Sequence, residues 1–219
     1  MQITKSSQIN TSLPSLRLGH LLAEVKVAPS APPLLQLIQE QSILMQSQMQ
    51  MTDIHSIATI QATRDAYKTL GKEPSRYRPS AEALTRRILQ GKGLYQVNNL
   101  VDLLNLVSIT TGFSIGGYDY SKIKGAVEIG VGQADEPYTA IGRGSLNIEN
   151  LPLCRDELGA FGSPTSDSQR TMVTDKTTQF LMVFFDFDGL GNLNSAMDLA
   201  TNLLAQHTHG SAIIERAIH

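Results

Sequence analysis

Hydrophobic and polar positions along this chain fall into two textures. Through the first half the apolar residues recur at helical spacing, and later they gather into short dense runs. A strand is predicted over 16–27, with Leu22, Val25 and Val27 among its apolar positions, ended by Pro29, Pro32 and Pro33. Leu34, Leu37, Ile38, Leu44 and Met45 share one side of a helix over 34–51. Asp53 is placed to cap a second helix over 54–70, with Gly71 as its stop. The Pro-Ser-Arg-Tyr-Arg-Pro stretch over 74–79 reads as a loop, because proline removes a donor and pushes the residue before it away from helix. Ser80 then caps a helix over 81–90 closed by Gly91. Asn98 or Asn99 caps another over 100–111 closed by Gly112.

That last helix has an uncommon pattern. Val101, Leu104 and Val107 recur at three-residue steps, and Asp102, Asn105 and Ser108 form a polar stripe beside them. Small polar groups on a mostly apolar helix need partners if buried, so the stripe is expected to tie neighbouring loops to the core. After residue 120 the runs over 126–131, 151–154 and 177–187 read as strands between Gly-, Asn- and Asp-rich connections. A final helix is predicted over 194–206, and Gly210 begins a tail. The pattern predicts an α+β fold, with helices mostly in the first half packed on a mixed or antiparallel sheet from the second. Residues 1–59 are expected to pack on the same domain that 60–219 build.

Bulk properties narrow the functions. At 219 residues and 41% hydrophobic content the chain can bury a substantial core. No apolar run approaches a membrane span, and residues 1–11 lack the layout of a secretory leader. A cytoplasmic location without membrane contact is the expectation, and the single Cys154 agrees with a reducing compartment. Net charge is −2, which argues against nucleic-acid binding by the surface at large. The charge is uneven, however: eight basic and three acidic residues lie between Arg64 and Lys92. That segment is either a solvated helix face or a phosphate-contacting patch using Lys72, Arg76, Arg78, Arg86, Arg87 and Lys92. No metal or other cofactor is expected. His207 and His209 lack a carboxylate or cysteine cluster, and Asp186–Asn192 reads as a turn, lacking the closing Glu of a calcium loop.

The stretch Asn98-Asn99-Leu100-Val101-Asp102-Leu103-Leu104-Asn105-Leu106-Val107-Ser108, followed by Gly116-Gly117-Tyr118-Asp119, resembles the signature of the B3/B4 domain in the β subunit of bacterial phenylalanyl-tRNA synthetase. Arg64-Asp65-Ala66-Tyr67, the run over 71–84 and Arg86-Arg87 look like stand-alone members of the family. Thr177-Thr178-Gln179-Phe180 resembles a strand that follows the editing loop. The resemblance implies a layered domain of that type over 60–219, with Asn98, Asp102, Asn105, Ser108 and Asp119 as its structural motif. It also implies a place for hydrolysing wrongly charged tRNA, and tRNA or an aminoacyl ester as partner. A catalytic core for charging tRNA has no room in this chain. One departure stands out: Gly116 occupies the position of the family's His, and Met172 falls near that of a Glu.

The ligand-binding expectations centre on two segments. Gly116 and Gly117 let a ligand approach the backbone beside Tyr118, or else make a tight turn. The loop over 159–171 concentrates Ser163, Thr165, Ser166, Asp167, Arg170 and Thr171. Arginine pairs with anions and a carboxylate with an ammonium; Asp167 could instead orient a water, which makes it the candidate catalytic residue. Two functions fit: a trans-acting protein that binds and hydrolyses aminoacyl-tRNA, or a noncatalytic module that binds a free amino acid or small metabolite.

Overall fold

The structure, a computed structural model, describes residues 1–208 and 210–219. In chain order its first half holds β1 (Ile3–Lys5), α1 (Ser7–Ser12), β2 (Arg17–Glu24), α2 (Pro32–Gln48), α3 (Ala58–Thr69), α4 (Ser80–Leu89) and α5 (Asn99–Thr111). There follow β3 (Ser114–Asp119), β4 (Val127–Val131), β5 (Thr139–Ala140), β6 (Gly144–Ser145), β7 (Pro152–Asp156) and β8 (Gly159–Gly162). The chain then runs through β9 (Gln179–Asp186), α6 (Leu193–His207) and β10 (Ala212–Ile218).

Strand β9 organises the molecule. Its Phe-Leu-Met-Val-Phe-Phe run is apolar on both faces, the pattern of a strand covered from two sides. It lies inside an antiparallel sheet of order β10-β2-β9-β3. Phe180, Met182 and Phe184 point to one side and pack with α2, α5 and α6 through Leu34, Leu103, Val107, Met197 and Leu204. Leu181, Val183 and Phe185 point to the other, against Val127, Ile129, Cys154 and Phe161 of a second sheet of order β1-β4-β7-β8. That sheet is parallel only where β1 meets β4. The result is an α+β fold in layers: helices, sheet, sheet. Each buried Phe or Leu of β9 contributes about 1.5–3 kcal/mol.

The structure departs from the sequence expectations at several points. The expected single sheet is two four-stranded sheets and a two-stranded β5-β6 ribbon, and β2, from the first half, sits beside β9 at the centre of one of the larger two. The expected helix over 54–70 is split. Asp53 accepts from the Gln50 amide and heads a short 3-10 turn, and the extended backbone of Ile57 separates that turn from α3. Gly116-Gly117 is no turn but part of β3. The tail after Gly210 becomes β10, an antiparallel edge strand on β2 that leaves Ile213, Ile214 and Ile218 exposed. Ser80 is the first residue of α4 rather than its cap; Pro79 holds the cap position without a side-chain bond.

Candidate ligand pocket and basic groove

Helix α5 positions the pocket. Asn98 Oδ1 accepts from the amides of Leu100 and Val101 and caps its start. Gly112 ends it in the left-handed conformation at φ 74°, where glycine carries no Cβ penalty. From the polar stripe, Asp102 accepts from the Val97 amide at 2.9 Å and the Ser30 hydroxyl at 2.6 Å. Ser108 donates to the Phe113 carbonyl. Asn99, next in line, holds the loop at Lys26 and Ala28. Asp119 accepts from Ser121 and from the Thr177 hydroxyl. Asn105 differs from these: it faces a cavity.

That cavity encloses about 240 Å³ between α4, α5, β3 and β9. A cavity of roughly 150 Å³ accepts a benzene, so this one has room for a larger apolar group. Leu84, Val101, Leu104, Ile115, Val173 and Phe180 make most of its wall. Ser80, Asn105 and Asp167 supply the polar side chains, and Asp167 is the one titratable residue among the described residues lining it.

Asp167 is held by a bonded loop. Ser163 Oγ accepts from the amides of Thr165 and Ser166 and donates to the Ser166 carbonyl. The Thr165 hydroxyl meets the Tyr67 hydroxyl at 2.8 Å and donates to the Tyr77 carbonyl, while the Tyr138 hydroxyl donates to Ser166. These hydroxyls therefore shape the loop rather than face the cavity. The Asp167 carbonyl takes the Ile141 amide, and its Oδ2 accepts from Gly117 N–H at 3.2 Å. Its Oδ1 is screened from solvent and has no partner among the described residues. Desolvation pushes its carboxyl from the ordinary 3.8 up to about 7, against the opposing bond from Gly117. A group with this pKa changes charge near neutrality and suits proton transfer at that pH.

The two glycines part company. Gly117 lines the cavity. Gly116 faces the opposite side of β3, where an added Cβ would overlap the Tyr118 hydroxyl. That hydroxyl is wedged between Gly116 and Gly162, near Asp167 and Cys154. A histidine at Gly116 would project into this packed space rather than into the cavity, so of the two glycines only Gly117 borders the cavity. Tyr118 is itself fully buried.

Arg170, expected at the ligand, points elsewhere. It is bonded to both Asp156 carboxylate oxygens, at 3.1 and 2.8 Å, and to the carbonyls of Lys122 and Gly159. Thr171 is buried and donates to Phe161. Cys154 is buried as well, and desolvation raises its thiol pKa well above the usual range. Asp186, the last residue of β9, is paired with Arg17 at 2.6 Å and takes the Gly191 amide. His209, of the His207–His209 pair, lies outside the described residues.

The basic segment also divides. Lys72 is buried, with its ammonium on the carbonyls of Asn147 and Glu149 and 3.7 Å over the Tyr77 ring, so it is a structural cation. Arg76, exposed, lies near the same ring. Arg78, Arg86, Arg87 and Lys92 line a groove with Arg143, and this groove shares Ser80, Leu84 and Asn105 with the apolar cavity. Glu82, buried at α4, engages Arg64 and Arg86 at 2.8 Å and Arg78 at 3.4 Å from beneath. Arg143 and the exposed Tyr95 were missed from the sequence. The Gly-Arg-Gly turn at 142–144 was the available signal for the first.

Residues 62–210 match the family model of the B3/4 domain. The chain belongs to the B3/4 domain family. This B3/4 protein is also similar in fold to the crystal structure of an N-terminal fragment of the phenylalanyl-tRNA synthetase β-subunit from Pyrococcus horikoshii. The TM-score is 0.51 and the identity 15%, over 97% of this chain and 50% of that one. The chain thus spans half the length of that fragment. No curated protein matches it. None of its described helices is long and apolar enough to cross a membrane.

Proposed function

We propose that the protein binds the aminoacyl end of a charged tRNA and hydrolyses its ester. The observation that carries this reading is the continuity of two unlike surfaces. An apolar cavity holding one carboxylate opens, past Ser80, Leu84 and Asn105, into a groove lined by five cations. The cavity fits an aminoacyl side chain, and the groove fits phosphates. In its ionised form Asp167 takes a proton from water as that water attacks the ester carbonyl. The carbon–oxygen bond to the ribose then breaks, and the ribose oxygen leaves with the proton that Asp167 returns to it. Asp167 is ionised above about pH 7, so the rate rises with pH through that value.

One observation favours a second reading. Asp167 is the only titratable side chain among the described residues lining the cavity, which leaves one carboxyl to serve as both base and acid, with no second group to share the work. In that reading the protein is a noncatalytic module, and Asp167 anchors the ammonium of a free amino acid. The test is deacylation of a panel of mischarged tRNAs by the protein and by Asp167→Asn. Turnover that is lost in the variant supports hydrolysis. Absence of turnover from folded protein, with thermal stabilisation by free apolar amino acids, moves the assignment to the binding module.

A further inference from the structure

Tyr95 stands in the loop between α4 and α5 with 66% of its surface exposed, an uncommon place for an aromatic ring with no packing role. The Arg87 guanidinium lies 3.6 Å over the ring. Arg87 is held there by a bond to the Lys92 carbonyl, and its Nε is buried without a partner. Both residues line the basic groove. The groove's charge is not fully neutralised: Glu82 accounts for Arg78 and Arg86. Arg87, Lys92 and Arg143 carry no ion-pair partner among the described residues, and no carboxylate lines the groove with them.

We propose that Tyr95, backed by Arg87, is a stacking platform for a nucleobase, and that the groove binds a single-stranded nucleic-acid segment with its phosphates on Lys92 and Arg143. An aromatic ring with a cation behind it offers a face to any base, and cations spaced along a groove follow a backbone. A duplex is excluded by the same geometry, since its base faces are covered by their own stack. Phosphate contacts alone would leave the exposed ring unexplained. The choice of nucleic acid as partner rests on the proposed function; the stacking residue and its role go beyond it.

The experiment is fluorescence anisotropy with a labelled, uncharged six-nucleotide RNA, beside an abasic chain of the same length. The RNA is expected to bind roughly ten- to one-hundred-fold more tightly than the abasic chain. Tyr95→Ala removes that advantage and Tyr95→Phe keeps it, as expected for a stacking term of this size. Arg143→Ala lowers the salt dependence of log K by about 0.7, the value for one lost phosphate contact on a single strand. Tyr95 is exposed, so its variants fold. Equal binding of the two chains, or RNA binding unchanged in Tyr95→Ala, overturns the proposal. A protein that binds the RNA through Tyr95 yet hydrolyses no ester keeps the stacking site and loses the hydrolase reading. One that hydrolyses small aminoacyl esters but ignores the RNA does the reverse.

Discussion

Replacing Asp167 by Asn should make the protein more stable at neutral pH and leave it nearly unchanged in acid. The carboxyl titrates at about 7 in the folded state against 3.8 ordinarily. Between those values the folded protein keeps a proton that the unfolded chain has released. Folding stability therefore falls as pH rises from about 4 to about 7, at up to roughly 1.4 kcal/mol per pH unit. Complete conversion gives about 4 kcal/mol; solvent reaching the cavity screens the group, so about 2–4 kcal/mol is expected. Asn is uncharged and its carbonyl oxygen can still accept from Gly117 N–H, so the variant escapes this loss. Urea unfolding of both proteins at half-unit steps from pH 4.5 to 8.5 measures it. The stability difference should grow in favour of the variant and level off above pH 7. A difference that stays constant across the range would refute the claim that Asp167 is protonated by its surroundings.

Three further outcomes are expected. Gly116→Ala should lose about 1–3 kcal/mol by overpacking against Tyr118, and the larger Gly116→His should lose more; an unchanged melting temperature in either would show that β3 yields easily. Glu82→Gln should lose about 3 kcal/mol by stranding the guanidinium groups it pairs with. Burial alone would raise the Glu82 carboxyl, but the bonds from Arg86 and Arg64 outweigh it and hold it below its ordinary 4.5. Its contribution is therefore present above that value and fades as pH falls through the lowered one, so unfolding curves of the variant and wild type should converge in strong acid. Cys154 should resist Ellman's reagent in the native protein and react once urea exposes it; rapid native labelling would contradict the packing of the two sheets.

Local signals were legible in the sequence and long-range assembly was not. Asn98 and Gly112 mark the ends of α5 through bonds within a turn of themselves, and β9 declares its two covered faces by its unbroken apolar run. The pocket is another matter. Its wall comes from α4, α5, β3, β9 and the loops carrying Ile141, Asp167 and Met172, segments that meet only after both sheets form. Hydroxyl-rich composition drew attention to the loop around Asp167, but it could not separate Asp167, which reaches the cavity, from Ser163 and Thr165, which hold the loop, or from Arg170, which Asp156 engages. Likewise Lys72 and Arg87 look alike in sequence, and only burial distinguishes the structural cation from the groove cation.

The position of β2 also governs how the chain can fold as it is made. Both partners of this early strand, β9 and β10, lie beyond residue 178. A ribosome must therefore deliver nearly the whole sequence described here before β2 finds a neighbour. Until then Leu18, Leu21 and Leu22 travel uncovered, and closing so long a loop is slow. Helices α3, α4 and α5, emerging in between, can form early from local contacts and wait as a scaffold. The apolar cavity and its carboxylate come into existence only with the last steps, when β9 slides between β2 and β3.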